Sequence, residues 1–286
     1  MRFFLVARAL TPTNAALLGA FRRAGIESRL VQSPAARRRV HAEDLVLARL
    51  DVAPSLDRVD DGLRDLDALE AAGARILNGS RSLLAAHDKL LTAEMLGQAA
   101  VAHPRTGHIA VGDGCDLEPP VVVKPRFGSW GQDVVRCDDA DALSRHLVRV
   151  RRRSWFRRHG ALVQEVIPPC GYDLRVIVAG GEVVGAIRRV AAPGEWRTNI
   201  ALGGHRQPVV PPPEACELAL AAAAAIGGDL VGVDLLPSAE GEWTVLEING
   251  AVDFTSEYSL DGDIFDEIPR ALGVADDLAL ALPALS

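Results

Sequence analysis

Val121-Val122-Val123-Lys124-Pro125-Arg126-Phe127-Gly128-Ser129-Trp130-Gly131-Gln132 is the stretch on which the fold turns. Val121 to Val123 read as a short buried strand that delivers Lys124 at its end, where Pro125 stops it because proline has no N–H to give a ladder. The loop that follows carries two glycines, whose bare backbone lets N–H groups approach an anion that side chains would keep away. Taken alone the loop also reads as a surface hairpin. Beside a strand-end lysine it reads as a lid over phosphate oxygens. The lysine itself stands out, because of 31 basic residues only Lys89 and Lys124 are lysines. A compact ammonium on a flexible stem is not interchangeable with a planar guanidinium, so positions that keep lysine point to a use for it. Chance survival of two surface lysines is the plain alternative.

Outward from this stretch, the chain opens with a strand (2–7), a helix (14–24) closed by Gly25, and a second strand (28–31). That βαβ start belongs to a parallel sheet and an α/β beginning. Residues 44–50 read as a third strand, 62–72 as a helix closed by Gly73, and 74–77 as a strand. No GxGxxG follows the first strand, so a dinucleotide fingerprint is absent. A helix is expected from Ser80 to Gly97, striped by Leu83, Leu84, Leu90, Leu91 and Met95 and containing Lys89. Residues 107–120 read as loop. Strands are expected at 161–167, at 173–178 and 182–187 joined by Gly180-Gly181, and at 231–236 and 243–249 joined by a polar turn. A helix fills 213–226 and ends at Gly227-Gly228.

Composition narrows the function classes. The 286 residues are 49% apolar, and the formal net charge of −7 argues against general nucleic-acid binding. No apolar run approaches a membrane span, and Phe3 to Leu10, interrupted by Arg8, reads as a buried strand and not a signal peptide. Cys115, Cys137, Cys170 and Cys216 are widely spaced, suggesting neither a zinc site nor a disulfide framework and fitting a reducing cytoplasm.

Two further constellations carry chemistry. Glu247 and Asn249 are two apart on a strand and so share a face, and a turn over 237–242 places Asp234 nearly opposite Val245, on that face and diagonal to Glu247. Three oxygen-bearing side chains on an otherwise apolar hairpin are costly without a cation, and hard oxygens suit Mg²⁺ bridging nucleotide phosphates. Arg188-Arg189 and Glu195-Trp196-Arg197-Thr198-Asn199, followed by Gly203-Gly204, form a charged group. It reads either as a grip on triphosphate or an acidic substrate, or as a solvated loop.

With these residues placed, the chain resembles the RimK-type ATP-grasp ligases, closer to the LysX-like and glutamate-ligase branch than to RimK itself. The resemblance spans roughly residues 76 to 255. It is carried by Asn78-Gly79-Ser80, Asp88-Lys89, Val123-Lys124-Pro125, Gly128-Ser129-Trp130-Gly131, Gln164-Glu165, Gly171-Tyr172-Asp173-Leu174-Arg175, Arg197-Thr198-Asn199, Gly232-Val233-Asp234 and Leu246-Glu247-Ile248-Asn249 in family order. It implies an α/β fold of α+β subdomains, with a pre-ATP-grasp lobe (1–85), a central subdomain with the glycine-loop lid (86–168) and a C-terminal subdomain with the metal and substrate site (169–286).

The resemblance further implies ATP and Mg²⁺, with Mn²⁺ as an alternative metal. Lys89, Lys124, Gly128, Ser129, Trp130 and Gly131 would contact phosphates, and Gln164, Glu165, Val166 and Ile167 would form the adenine and ribose hinge. Asp173 and Arg175 would contact nucleotide or substrate, Arg189, Arg197 and Asn199 would sit at the reacting groups, and Asp234, Glu247 and Asn249 would hold the metal. The implied activity is ADP-forming amide ligation through an acylphosphate, with an amino acid such as glutamate as a substrate. A non-catalytic ATP-binding module and a phosphotransferase acting on a small molecule are the rival readings. The implied partners are a small-molecule or peptide substrate or an acidic carrier protein, in a cytoplasmic homo-oligomer (dimer or tetramer), with neither nucleic acid nor membrane. The arginines of 149–158 read as a solvated helix face, or as the carrier's docking surface. After Asn249 the chain reads Gly250-Ala251-Val252-Asp253-Phe254 without RimK's Pro-Gly, which leaves the substrate open.

Overall fold

Phe3–Ala7 is five apolar residues in a row, the mark of a strand covered on both faces, and all five are buried. In the computed structural model, which describes residues 2–110, 115–128 and 130–274, this strand, β1, lies inside a parallel sheet. Its neighbours are β2 (Ser28–Val31) and β3 (Leu45–Arg49), with β4 (Arg75–Leu77) beyond β3. The crossovers are α1 (Pro12–Arg23), α2 (Ser33–Arg39) and α3 (Leu63–Ala71). Thr11 opens α1, its hydroxyl accepting from the N–H of Asn14. α2, only seven residues long and ending in three arginines, carries too little apolar pattern for sequence to signal it.

The single helix expected over 80–97 is two helices, α4 (Ser80–His87) and α5 (Lys89–Gln98). The chain breaks at Asp88, at φ −90° and ψ 96°. There the carboxylate accepts from the N–H groups of Leu90 and Leu91 at 3.2 and 3.4 Å and caps α5. Arg126 holds the same carboxylate bidentately, both contacts at 2.6 Å.

The middle of the chain forms an antiparallel sheet of β5 (Thr106–Ile109), β6 (Val121–Pro125), β7 (Val135–Cys137) and β8 (Ala161–Glu165), in the order β5-β8-β6-β7. β5 falls where loop was expected, since Thr-Gly-His-Ile shows no alternation of apolar residues. Lys124 and Pro125 lie inside β6, not beyond its end. Leu143 of α6 (Ala140–Val150) and Trp155 and Phe156 of α7 (Ser154–His159) cover one face of this sheet. Val122 pairs with Gln164 and Lys124 with Leu162, so these four share the other face.

The third sheet runs β11-β10-β9-β12-β13, all antiparallel. It comprises β9 (Tyr172–Ala179), β10 (Glu182–Val190), β11 (His205–Pro208), β12 (Leu230–Pro237) and β13 (Trp243–Asn249). Gly180 and Gly181, both at positive φ, turn the expected hairpin. Leu174, Val176 and Val178 pack toward α8 (Pro213–Ile226), so Asp173 and Arg175 stand on the opposite face. The last helix, α9 (Ile264–Ala271), packs with Phe254 against α1 and β1 in one core. No helix of the described residues is long and apolar enough to cross a membrane.

One register expectation fails. Asp234 lies opposite Glu247, not Val245, because Leu235 pairs with Val245 and leaves Leu246 as an extra residue. A bulge of this kind reverses which face the following residues occupy. Val245 and Ile248 consequently pack into the core beneath α8. Glu247 and Asn249 face the other way, with Asp234.

Candidate active site

Most of the candidate side chains arrive on sheet faces that strand alternation has turned away from a core, while Lys89 comes from the start of α5 and Arg197 and Asn199 from the loop after β10. The Lys124–Gln164 face of the middle sheet and the Asp173–Asp234 face of the third sheet bound a cleft of about 980 Å³ of empty space. Of the residues expected at the site, Lys89, Lys124, Gly128, Gly131, Gln164, Glu165, Val166 and Ile167 line it. So do Asp173, Arg189, Arg197, Asn199, Asp234 and Glu247. Arg175, Asn249 and Trp130 line a second cavity of about 730 Å³, and Ser129 lies outside the described residues. The two cavities meet at Arg189, Asn199 and Glu247.

Lys89 starts α5 and donates from Nζ to the carbonyl of Gly128 at 2.5 Å, with Glu247 Oε2 at 3.8 Å. The backbone N–H of Lys89 also donates to the Arg126 carbonyl at 3.1 Å, tying the helix start to the end of β6. Lys124 is 4% exposed. Burial, followed by repulsion from Lys89, brings its ammonium down to about 8 against the pull of Glu247. An anion in the cleft would restore full charge to it.

β8 ends at Glu165, whose carboxylate accepts from the N–H of Arg105 at 2.7 Å and from its Nε at 2.9 Å. Burial opposes ionisation there, but these bonds hold Glu165 below its usual range. Gln164 donates to Thr106 at 2.8 Å. Gly131, at φ +70°, passes so near β10's following loop that a Cβ on it would lie 2.9 Å from Asn199 Oδ1. Trp130 also has positive φ, at 60°, a conformation costly for a bulky residue.

The floor is a chain of buried charges. Arg175 grips Asp234 with Nε and Nη2, both at 2.7 Å, and Arg189 Nη2 adds a third contact at 2.8 Å. Arg189 also holds Asp173 through Nε at 2.8 Å and Nη2 at 2.5 Å, and the Thr198 hydroxyl donates to Asp173 at 2.6 Å. Burial would raise Asp234, but the two guanidinium groups hold it well below the usual carboxylate range. Arg197 closes on Glu195, with Nε–Oε1 at 3.0 Å and Nη2–Oε2 at 2.8 Å.

The acidic face fits a hard cation. Asp234 Oδ1 takes only one Arg175 N–H and keeps a lone pair, and Glu247 stands directly across the ladder. The buried amide nitrogen of Asn249 has no hydrogen-bond partner among the described residues, so its amide is free to turn its oxygen toward a metal. Mg²⁺ suits two carboxylates and one amide oxygen that leave other positions to phosphates.

Sequence reasoning gave Thr198, named only within its charged group, no role as the brace of Asp173, and it did not join Asp253 to Asp51, His87 and Tyr258 as the far wall of the second cavity. A signal for Asp51 existed. It sits just past β3, and open parallel sheets place ligands beyond the carboxyl ends of their strands.

A family model described as the RimK-like ATP-grasp domain matches residues 86–271. A probable alpha-L-glutamate ligase of Parasynechococcus marenigrum is 33% identical over 216 residues, which are 71% of this chain and 45% of that protein. The alpha-aminoadipate–LysW ligase LysX of Sulfurisphaera tokodaii is 31% identical over 185 residues, 63% of this chain and 65% of its own length. The chain thus spans less than two thirds of either. Among solved structures, a RimK-domain ATP-grasp protein of Sphaerobacter thermophilus superposes with a TM-score of 0.64 at 21% identity, covering 96% of this chain and 98% of the other. At that identity the likeness speaks for the fold alone.

Proposed function

The chain belongs to the RimK-like ATP-grasp family, and from that membership we propose that it is an ATP- and Mg²⁺-dependent ligase joining a carboxylate to an amine. The supporting observation is the meeting of the two cavities at Arg189, Asn199 and Glu247, which sets a phosphoryl donor beside a second substrate. In this reading the base and ribose lie against Gln164, Glu165, Val166 and Ile167. Lys89, Lys124 and the Gly128–Gly131 loop grip the phosphates. The carboxylate attacks the γ-phosphorus, ADP leaves, and the amine then displaces phosphate from the acylphosphate and loses a proton.

Catalysis of phosphoryl transfer rests on placing positive charge where negative charge develops. Arg189 lies at the junction already ordered by Asp173, and Asn199 stands against Gly131, where it can hold the loop closed and keep water from the acylphosphate. Arg197, tied to Glu195, braces the same lid from the other side. Asp234, Glu247 and Asn249 would hold the metal. Mg²⁺ there would neutralise the transferring phosphoryl group. An amino acid such as glutamate is a substrate in this reading.

Incubation of the full chain with Mg²⁺, ATP and pairs of amino acids or carboxylates tests the proposal, with ADP and the mass of the joined product as readouts. ADP and phosphate without an amide would indicate idle hydrolysis, ADP with a phosphorylated acceptor would indicate phosphotransfer, and mixtures free of ADP throughout would remove the ligase reading. A peptide or carrier protein as partner is supported by Arg149, Arg151, Arg152 and Arg157, which are exposed and form no ion pair among the described residues. Arg153 and Arg158 beside them are held by Asp133 and Asp57 at 2.9 Å. Charge reversal at the four free arginines should slow turnover of an acidic protein acceptor and spare small ones. Unchanged turnover with every acceptor excludes docking there.

A further inference from the structure

The backbone leaving the glycine loop is held in a shape it would not take alone. Trp130, Gly131 and Asp133 have φ of 60°, 70° and 54°. Glycine takes this region freely and aspartate tolerates it, but a tryptophan stays there only where its surroundings hold it. One end of the loop is tied by Lys89, whose Nζ donates to the Gly128 carbonyl. Further along, Arg197 Nη1 reaches the carbonyls of Gly131 and Val134 only at 3.5 and 3.4 Å, long for hydrogen bonds.

Asp133 supplies the firm tie at the other end. Its Oδ2 accepts from the indole N–H of Trp155 and its Oδ1 from Arg153 Nη2, both at 2.9 Å. Trp155 is 3% exposed and packs with Phe156 in the core of the middle sheet, so the anchor point is fixed by that core and not by a surface side chain. The Asp133 side chain is itself 24% exposed, which shelters both bonds in part from water. Arg153 and Trp155 line neither of the two cavities. Gly131, two residues before Asp133, stands against Asn199 where the cavities meet. A carboxylate pinned at 133 therefore limits where Gly131 can sit.

We propose that Asp133 is a positioning residue: anchored on Trp155 and Arg153, it keeps Gly131 against Asn199 and so sets the glycine loop in place over the nucleotide phosphates. It acts through Gly131 and touches no substrate. The inference rests on the nucleotide reading of the cleft for its effect on affinity, and on the geometry alone for the anchoring. If Asp133 served only as a residue tolerant of positive φ, glycine would do as well there.

Hydrogen exchange at the amides of residues 130–134, and calorimetric titration of the full chain with Mg²⁺ and the non-hydrolysable analogue AMP-PNP, test it. Asp133→Gly suits the backbone and removes both bonds. Arg153→Gln combined with Trp155→Phe removes both donors and leaves the loop sequence intact. Each should speed exchange at 130–134 and weaken AMP-PNP by about fivefold or more, with exchange in β1 unchanged. Adding Asp133→Gly to the double variant should change either value by less than about twofold, because the bonds are already gone. Asp133→Asn, which keeps an acceptor for Trp155, should fall between. Should the double variant not fold, Arg153→Gln alone, at the surface, is expected to give about a twofold effect on both. AMP-PNP binding by Asp133→Gly equal to wild type, faster exchange in Asp133→Gly that the donor-side variants do not reproduce, or exchange that rises equally throughout the chain overturns the proposal. A wild-type chain that binds neither AMP-PNP nor ADP ends the nucleotide reading, and the exchange data then decide the anchoring by themselves.

Discussion

At Lys124, burial and the nearness of Lys89 bring the pKa to about 8, so the charge on this side chain depends on what enters the cleft. Nucleotide phosphates favour the protonated form, and affinity for ATP should therefore fall as pH rises through about 8, by up to one proton's worth of linkage. Lys124→Arg, which cannot be deprotonated in this range, should give a flat profile whatever its absolute affinity; a wild-type titration flat from pH 7 to 9.5 contradicts the assignment. For folding the sign is opposite. Between about 8 and the usual lysine range the unfolded chain binds the extra proton, so Lys124 contributes stability that grows as pH rises across that window. Asp234 and Glu247 stand across one ladder but differ in what their loss should do. Asp234→Ala strips Arg175 and Arg189 of a shared partner and should cost about 3–5 kcal/mol in chemical denaturation, with activity lost as well. Glu247→Gln, at a position whose nearest basic group is 3.8 Å away, should change stability little and raise the Mg²⁺ concentration needed for half-maximal ADP release.

Among the elements, the joint between α4 and α5 sets the relative position of the two lysines. Asp88 caps the helix that begins with Lys89 while clasping Arg126, two residues past Lys124. Asp88→Ala removes a cap and a partly buried ion pair together, which should cost about 2–4 kcal/mol and raise KM for ATP more than it lowers kcat. Unfolding in urea and steady-state kinetics check the two halves. Sequence could not reveal this joint, because leucines on both sides of Asp88 continue one helical stripe, and the reason to break it lies in Arg126, distant in the chain. The bulge at Leu246 was hidden similarly: strand alternation correctly grouped Asp234, Glu247 and Asn249, but register depends on one extra residue that leaves no local signature. By contrast, the β9–β10 hairpin and the end of α8 were legible, since Gly180-Gly181 and Gly227 sit at backbone angles that glycine takes without penalty. That Lys89, Lys124, Gln164 and Asp234 share one cleft agrees with the grouping expected from motifs that are each continuous in sequence. The second cavity was not legible, since its far wall joins Asp51, His87 and Asp253 from three separate stretches.

In the molecule as a whole, the parallel sheet does not stand alone. Thr13 and Phe254 exchange two hydrogen bonds, at 3.0 and 3.1 Å, and Arg49 bridges Asn14 to Val252. Arg49→Met should lower stability by about 2 kcal/mol through the stranded Asn14 and Val252 oxygens, with unfolding still a single transition by fluorescence and circular dichroism. Two separated transitions in the wild-type chain would show the lobes to be uncoupled. The shared core has a further consequence for synthesis. Phe3, Leu5 and Leu17 complete their packing on Phe254, Ile264 and Ile268, which leave the ribosome last among them. At about 5–20 residues per second, the first sheet waits on the order of ten to fifty seconds with that flank unsheltered. From the emergence of the first sheet until residues 254–268 follow, the nascent chain thus carries an apolar face that only those later residues cover, which makes the early polypeptide a client for holding factors through that interval.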